Sequence, residues 1–217
     1  MIPVFSILGD SISTFSGISI PEHMVFYDAY TQRQAGLHAA GDTWWMRVIT
    51  AHKGRLGVNC SGAGTLVCGL GPAAGCSEQR TGLLGQNGAP DWILVAMGAN
   101  DWAYGVPLGE PDTLDARTFF GAYQLMLRRL KAAYPAARVV CATLLRGQDP
   151  ADGPLFFNAE AAGPMEPYNE VIRAACGLEG CQVADLAVTC PAYATLDGVH
   201  PNAAGMGQLA SGWLAYL

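Results

Sequence analysis

A serine, and a histidine preceded by an acid, stand at positions suited to nucleophilic chemistry. Ser11 follows an apolar run in the segment Gly9-Asp10-Ser11, and Asp197 lies three residues before His200. A carboxylate at that spacing can fix the tautomer of an imidazole while the second ring nitrogen faces a nucleophile. Taken alone, Ser11 also fits the N-cap of a helix. Together the three residues indicate acyl transfer, with a nucleophile, a base and an orienting acid.

Two other segments could supply hydrogen-bond donors to a developing oxyanion. Asn100, in Gly98-Ala99-Asn100-Asp101, could donate its side-chain amide, although an Asx turn would explain it equally. Gly62 and Gly64 follow another apolar run, and glycine lets backbone N–H groups approach an anion closely. The alternative serine-hydrolase motif G-x-S-x-G does not occur in the sequence.

The elements that must position these residues are short apolar runs alternating with amphipathic stretches. Runs that are apolar on both faces are typical of parallel strands covered by helices. The pattern predicts an α/β fold, namely a three-layer α/β/α sandwich with a five-stranded, mainly parallel sheet, in a single domain spanning residues 1–217. The predicted strands are residues 3–8, 55–59, 91–97, 138–144 and 182–186. The predicted helices are residues 43–52, 115–134 and 168–175, with a last helix beginning near Asn202.

Three long connections follow the carboxyl ends of predicted strands, which is where open α/β sheets bind ligands. They span residues 12–42, 102–114 and 146–167, and they are rich in aromatic side chains. We expect these rings to line a substrate cleft, with Phe15, Trp102 and Tyr104 as the substrate-binding residues. The other aromatic candidates are Phe26, Tyr27, Tyr30, Phe156 and Phe157.

Composition excludes several classes of protein. The chain has 217 residues with 12 Lys+Arg, 18 Asp+Glu and 51% hydrophobic residues, so it is too apolar to be disordered. Its formal charge of −6, with no basic cluster, argues against nucleic-acid binding. A run of 22 uncharged residues, 56–77, contains six glycines and is predicted to be a loop rather than a membrane span. No membrane span is expected.

The cysteines and the N-terminus bear on location and cofactors. The first basic residue is Arg33, so the cationic region of an export signal is missing. The seven cysteines form no C-x-x-C pair, and no histidine lies at zinc-ligand spacing from a cysteine pair. Asp10 lacks the second aspartate of a Mg²⁺ phosphatase site. We therefore expect reduced thiols, a cytoplasmic protein and no metal or cofactor, with no prediction of oligomeric state.

Four segments in order along the chain resemble the SGNH, or GDSL-type, hydrolase family. They are Gly9-Asp10-Ser11, Gly64, Gly98-Ala99-Asn100-Asp101 and Asp197-Gly198-Val199-His200, and they span residues 9–200. The resemblance implies the flavodoxin-like SGNH hydrolase fold, with Ser11 as nucleophile, His200 as base and Asp197 as its acid. It also implies an oxyanion hole made by the N–H groups of Ser11 and Gly64 and the Asn100 amide. Gly64 is preferred to Gly62 because its distance from Asn59 matches the family spacing. The residue after Ser11 is Ile12, whereas the name GDSL implies a leucine at that position.

The function predicted from these features is a serine esterase for short-chain esters, including O-acetyl esters of carbohydrates. Aromatic, polar-interleaved loops without a long apolar lid helix favour this prediction over a lipase or lysophospholipase. A thioesterase or an acyltransferase of the same fold would use the same catalytic residues. A flavodoxin-like nucleotide-binding module would use the glycine loops for phosphate but would leave Asp197 and His200 unexplained. The expected partner is a small-molecule or carbohydrate ester.

Overall fold

The computed structural model describes residues 2–20, 22–151, 155–156, 162–190 and 192–217. Within these residues five strands form one sheet in the order β2-β1-β3-β4-β5, and each neighbouring pair is parallel. The predicted five-stranded parallel sheet is confirmed, with strand ends that differ from the predicted ones by at most two residues. The strands are β1 (Val4–Gly9), β2 (Arg55–Ser61), β3 (Trp92–Ala96), β4 (Arg138–Ala142) and β5 (Gln182–Ala184).

Helices connect the strands and cover both faces of the sheet. Among the described residues, no helix is both long enough and apolar enough to cross a membrane. Three short 3₁₀ turns lie at Ser11–Ser13, Ala40–Asp42 and Leu83–Gly85. The α-helices of the described chain are α1 (Ala29–Ala35), α2 (Trp44–Ala51), α3 (Glu78–Gly82), α4 (Ala99–Ala103), α5 (Phe119–Ala133), α6 (Glu166–Glu179), α7 (Leu186–Thr189) and α8 (Ala203–Leu214).

Side-chain caps set several helix ends. The Thr43 side chain accepts from the N–H of Met46 and begins α2, and the Asn202 side chain caps α8 in the same way. The predicted start of α5 at residue 115 was wrong. Asp115 instead accepts bonds from its neighbours in a turn, which delays the helix until Phe119.

Two apolar clusters hold the three layers together. Helices α5 and α6 bury one face of the sheet with side chains such as Phe119 and Ile172. Helices α2 and α8 cover the other face, where the Trp44 and Trp213 rings stack with centroids 5.0 Å apart. Full burial of one such large side chain contributes roughly 1.5–3 kcal/mol. The sheet is therefore rigid enough to position loops at its edge.

The strand order creates a crevice at the carboxyl ends of β1 and β3. The chain moves from β1 to β2 on one side and then crosses to β3 on the other side of β1. In such sheets the connections after the two central strands diverge, and ligands bind between them. Ser11 follows β1 and Asn100 lies in α4 directly after β3. The topology thus brings both residues to the same crevice.

Candidate active site

Ser11 begins the 3₁₀ turn that follows β1. The Asp10 carboxylate accepts the Ile12 N–H at 3.1 Å and caps this turn. The Ser11 carbonyl accepts from both the N–H and the hydroxyl of Thr14, at 3.2 and 2.8 Å. The cap is therefore Asp10 and not Ser11, which leaves the Ser11 hydroxyl available for other partners.

Ser11, His200 and Asp197 form a continuous hydrogen-bonded line. The Ser11 Oγ lies 3.0 Å from His200 Nε2, and His200 Nδ1 lies 2.8 Å from Asp197 Oδ2. The other carboxylate oxygen, Oδ1, accepts the backbone N–H groups of His200 at 2.8 Å and Val199 at 3.1 Å. Because an Nδ1–H donated to Asp197 leaves the Nε2 lone pair facing Ser11, this geometry suits a general base. The structure thus brings together residues 189 positions apart in sequence.

The balance of burial and hydrogen bonding keeps Asp197 ionised. Burial alone raises the pKa of its carboxyl group, but hydrogen bonds from the ring and backbone of His200, together with the Val199 N–H, more than offset this effect. The net result is a pKa below its usual range. Asp197 therefore carries a negative charge at neutral pH, which stabilises an imidazolium on His200.

Two aromatic rings fix the His200 imidazole in place. Phe26 stacks on it with ring centroids 3.4 Å apart and 10° between the planes. Phe156 meets it edge-on, at 4.9 Å and 89°. The loop is also anchored by the Tyr27 hydroxyl, which donates to the carbonyl of Pro201 at 2.7 Å. The sequence predicted Phe26 and Phe156 as cleft rings and gave no sign that they contact the base.

Three donors converge near Ser11. The N–H groups of Ser11 and Gly64 have no acceptor among the residues that the structure describes. One N–H of the Asn100 amide donates to the Thr65 carbonyl at 2.9 Å, which leaves the second N–H for the cleft. The N–H of Gly62, by contrast, is donated to the Gly9 carbonyl. Of the two candidate glycines, Gly64 is the one with a free donor.

The loop that carries Gly64 is tied to the start of α4. The Asp101 carboxylate accepts the N–H groups of Val67 and Cys68, at 2.8 and 3.0 Å. Gly64 itself has a φ of 72°, in the left-handed region where a side chain is strained. These contacts hold the Gly64 and Asn100 donors in a fixed relation, which is what preorganised oxyanion stabilisation requires.

A buried arginine bonds to the end of β1, two residues before Ser11. The Arg80 guanidinium is fully buried and donates to the carbonyls of Ala73, Gly9 and Cys60, at 2.7, 2.5 and 3.0 Å. Burial raises the pKa of Asp10 to about 7, although the Ile12 N–H and the Arg80 charge oppose this shift. Nothing in the sequence pattern around Arg80 indicated these contacts, because its carbonyl partners lie in β1, in β2 and in the loop before α3.

A cleft of about 280 Å³ opens above Ser11. Trp102 and Tyr104 line it, and Tyr104 is 72% exposed at the rim. Their contact with a substrate stays a prediction. Phe15 does not line it: its ring is 6% exposed and packs in the core with Tyr27, so its predicted substrate contact does not agree with the structure. The predicted Phe157 lies outside the described residues. Further lining residues that the sequence did not single out include Leu145, Arg146, Met165 and Tyr193.

Several solved structures share this architecture. A protein described as a GDSL-like lipase from Bacteroides ovatus is 25% identical, with a TM-score of 0.78, and the match covers 100% of this chain and 98% of that one. A second, from Bacteroides uniformis, is 26% identical, with a TM-score of 0.73 and coverage of 99% and 95%. Phospholipase A1 from Streptomyces albidoflavus NA297 is 15% identical, with a TM-score of 0.65 and full coverage of both chains, and shares the fold.

Comparison at the level of sequence identifies the family. No curated protein is significantly similar in sequence to this chain. A family model described as GDSL-like Lipase/Acylhydrolase matches residues 3–146, a segment that includes Ser11, Gly64 and Asn100. Asp197 and His200 lie beyond the matched segment, and the fold brings them back to Ser11. Because the match extends over well more than half of the 217 residues, the chain belongs to the GDSL-like lipase/acylhydrolase family.

Proposed function

We propose that this chain is a serine esterase that hydrolyses short-chain esters, including O-acetyl esters of carbohydrates, through an acyl-enzyme on Ser11. Membership of the acylhydrolase family implies an ester hydrolase. The observation that carries the proposal is the line from Ser11 Oγ through His200 to Asp197, at 3.0 and 2.8 Å, on the floor of a cleft.

The proposed reaction proceeds in two halves. The Ser11 proton moves to His200 Nε2 as Ser11 Oγ bonds to the ester carbonyl carbon, and the carbonyl oxygen becomes an oxyanion. The N–H groups of Ser11 and Gly64 and the Asn100 amide stabilise that oxyanion. The carbon–oxygen bond to the alcohol then breaks, and His200 returns the proton to the leaving oxygen. Water, deprotonated by the same imidazole, then attacks the acyl carbon. The bond from that carbon to Ser11 Oγ breaks, His200 returns the proton to Oγ, and the acid leaves.

The walls of the cleft support short esters of polar alcohols. Phe156 is 61% exposed beside His200, and Tyr104 is exposed at the rim, so flat rings are available to stack on a sugar. The volume of about 280 Å³ lies just below the range of about 300–1,000 Å³ that ligand pockets usually have, which favours small esters. We expect p-nitrophenyl acetate and butyrate to be hydrolysed faster than the octanoate, as kcat/KM. A preference for octanoate would contradict the proposed acyl length.

Removal of the Asn100 amide tests the proposed oxyanion hole. Loss of one preorganised donor typically costs about 2.7–4 kcal/mol of transition-state stabilisation. Asn100→Ala is therefore expected to lower kcat for p-nitrophenyl acetate roughly 100- to 1000-fold. Asn87→Ala is the matched control, because the Asn87 side chain bonds to Gly57 away from the cleft. A full rate in Asn100→Ala would remove Asn100 from the proposed site.

We also propose a cytoplasmic location. All seven cysteines are free thiols, and six of them are buried. Free thiols suit a reducing compartment. Detection of the native protein only outside the cell would contradict this part of the proposal.

A further inference from the structure

A second space, here called the chamber, lies beside the cleft, between the sheet and the layer formed by α2 and α8. Trp44, Trp213 and Leu209 line it on the helix side, and Ala96 and Ala142 line it on the sheet side. The space has a volume of about 50 Å³, counted as room for the centres of water-sized groups. A single such group needs about 10–15 Å³, so this chamber holds about three to five of them.

The chamber and the cleft are neighbours that share a wall. Asp10, Ile12, Ala99, Leu145 and Tyr193 contact both spaces. Ile12 directly follows Ser11, and both Ile12 and Leu145 are only half-buried. The wall between the two spaces therefore lies beside the nucleophile and is made in part by side chains that are not tightly packed.

Two hydroxyl groups of the chamber wall are already engaged. The Tyr193 hydroxyl donates to the Val199 carbonyl at 2.7 Å. The Thr143 hydroxyl donates to Asp185 and accepts the Ala187 N–H, each at 3.0 Å. The Asp10 carboxyl also lines the wall and accepts the Ile12 N–H at 3.1 Å. The other lining residues are mainly aliphatic and aromatic, so the chamber suits an apolar group better than a sugar or a water cluster.

The position of His200 indicates which part of an ester would enter the chamber. His200 must protonate the leaving alcohol, so the alcohol lies on the His200 side, where Phe26 and Phe156 line the cleft. His200, Phe26 and Phe156 do not line the chamber. Ile12 and Ala99, which adjoin Ser11 and Asn100 in sequence, line both the cleft and the chamber. The acyl chain therefore extends from the carbonyl carbon toward Ile12 and Ala99.

We propose that this chamber is the acyl-chain subsite and that it limits the acyl group to about four carbons, which makes the butyryl ester a better substrate than the acetyl ester. The proposal rests on the esterase function proposed above. Burial of one methylene contributes about 0.8 kcal/mol, which corresponds to roughly fourfold in kcat/KM. Butyryl, with two more methylenes, is thus expected to exceed acetyl by roughly 15-fold in kcat/KM, with a decline at hexanoyl once the chamber is full.

Two substitutions test this assignment with p-nitrophenyl esters of two, four, six and eight carbons. Ala142→Leu fills the chamber and is expected to lower the butyryl-to-acetyl ratio of kcat/KM roughly 15-fold, which removes the gain from the two buried methylenes. Leu145→Ala opens the shared wall and is expected to move the optimum toward hexanoyl. Ala122→Leu adds the same volume to α5 on the opposite face of the sheet and is expected to keep the wild-type ratio.

A structure of the wild-type protein with Ser11 modified by a butylphosphonate gives an answer that does not depend on the variants folding. The butyl chain is expected in the chamber between Ile12 and Leu209. A butyl chain along Trp102 in the cleft, or an unchanged ratio in folded Ala142→Leu, would overturn the subsite while Ser11-dependent esterase activity remained. Absence of hydrolysis at every chain length in wild type would instead overturn the esterase function, and the subsite with it.

Discussion

Ser11→Ala is expected to lower kcat for p-nitrophenyl acetate by about 10⁴- to 10⁶-fold, because the acyl-enzyme can no longer form. The Ser11 Oγ is the atom that meets His200 Nε2, at 3.0 Å, and Asp10 rather than Ser11 caps the turn. The fold should therefore tolerate the substitution, since no capping bond is lost. The measurement is steady-state turnover together with mass spectrometry of the protein after a fluorophosphonate probe, which should label wild type and leave the variant unmodified.

Ser211→Ala is the matched control for this experiment. The Ser211 hydroxyl bonds to the Gly207 carbonyl on the exposed face of α8, away from the cleft. The Ser211→Ala variant should retain both the wild-type turnover and labelling by the fluorophosphonate probe. Wild-type turnover in Ser11→Ala would refute the assignment of the whole site, because the roles of His200 and Asp197 depend on the nucleophile.

The sheet was predictable because its strands are buried on both faces. A strand such as β3 is an almost continuous apolar run, and that local pattern gives the strand positions to within two residues. The start of α5 was not predictable, because residues 115–118 have helical spacing in sequence yet form a turn around the Asp115 side chain. That preference depends on side-chain bonds rather than on periodicity.

The candidate site was predictable where chemistry restricts the residue type. Ser11, Asp197 and His200 carry reactive groups that few other residues could supply, and the structure brings them within hydrogen-bonding distance. Residues that act by packing leave no such signal. Phe15 and Phe26 are both phenylalanines of one loop, but only the tertiary fold decides that Phe15 enters the core and Phe26 stacks on His200.

The burial of Arg80 could not be predicted from the sequence. An arginine two residues after Glu78 looks like a surface charge, and its burial depends on three carbonyls from β1, β2 and the loop before α3. Those carbonyls belong to the backbone and have no residue identity. Contacts of this kind become visible only when the loops are placed in three dimensions.

Asp197→Asn is expected to lower kcat about 10⁴-fold while the fold stays intact, because the substitution changes the tautomer of His200. In the wild-type structure Asp197 Oδ1 accepts two backbone N–H groups, from Val199 and His200. The amide oxygen of an asparagine would therefore keep the Oδ1 position. Its NH₂ group would then face His200 Nδ1, which can only accept from it. The ring proton would move to Nε2 and point at Ser11 Oγ, and the base would have lost its lone pair.

The tautomer itself provides the decisive readout for Asp197→Asn. Nitrogen NMR of the His200 ring should show the proton on Nδ1 in wild type and on Nε2 in the variant, with little change in thermal stability. Asp112→Asn removes a carboxylate that pairs with Arg128 on the surface, and it should alter neither the tautomer nor kcat. If Asp197→Asn kept the wild-type rate with the proton on Nε2, His200 could not be the base. A large loss of rate with an unchanged tautomer would mean that Asp197 acts through its charge, by stabilising the imidazolium, rather than by orienting the ring.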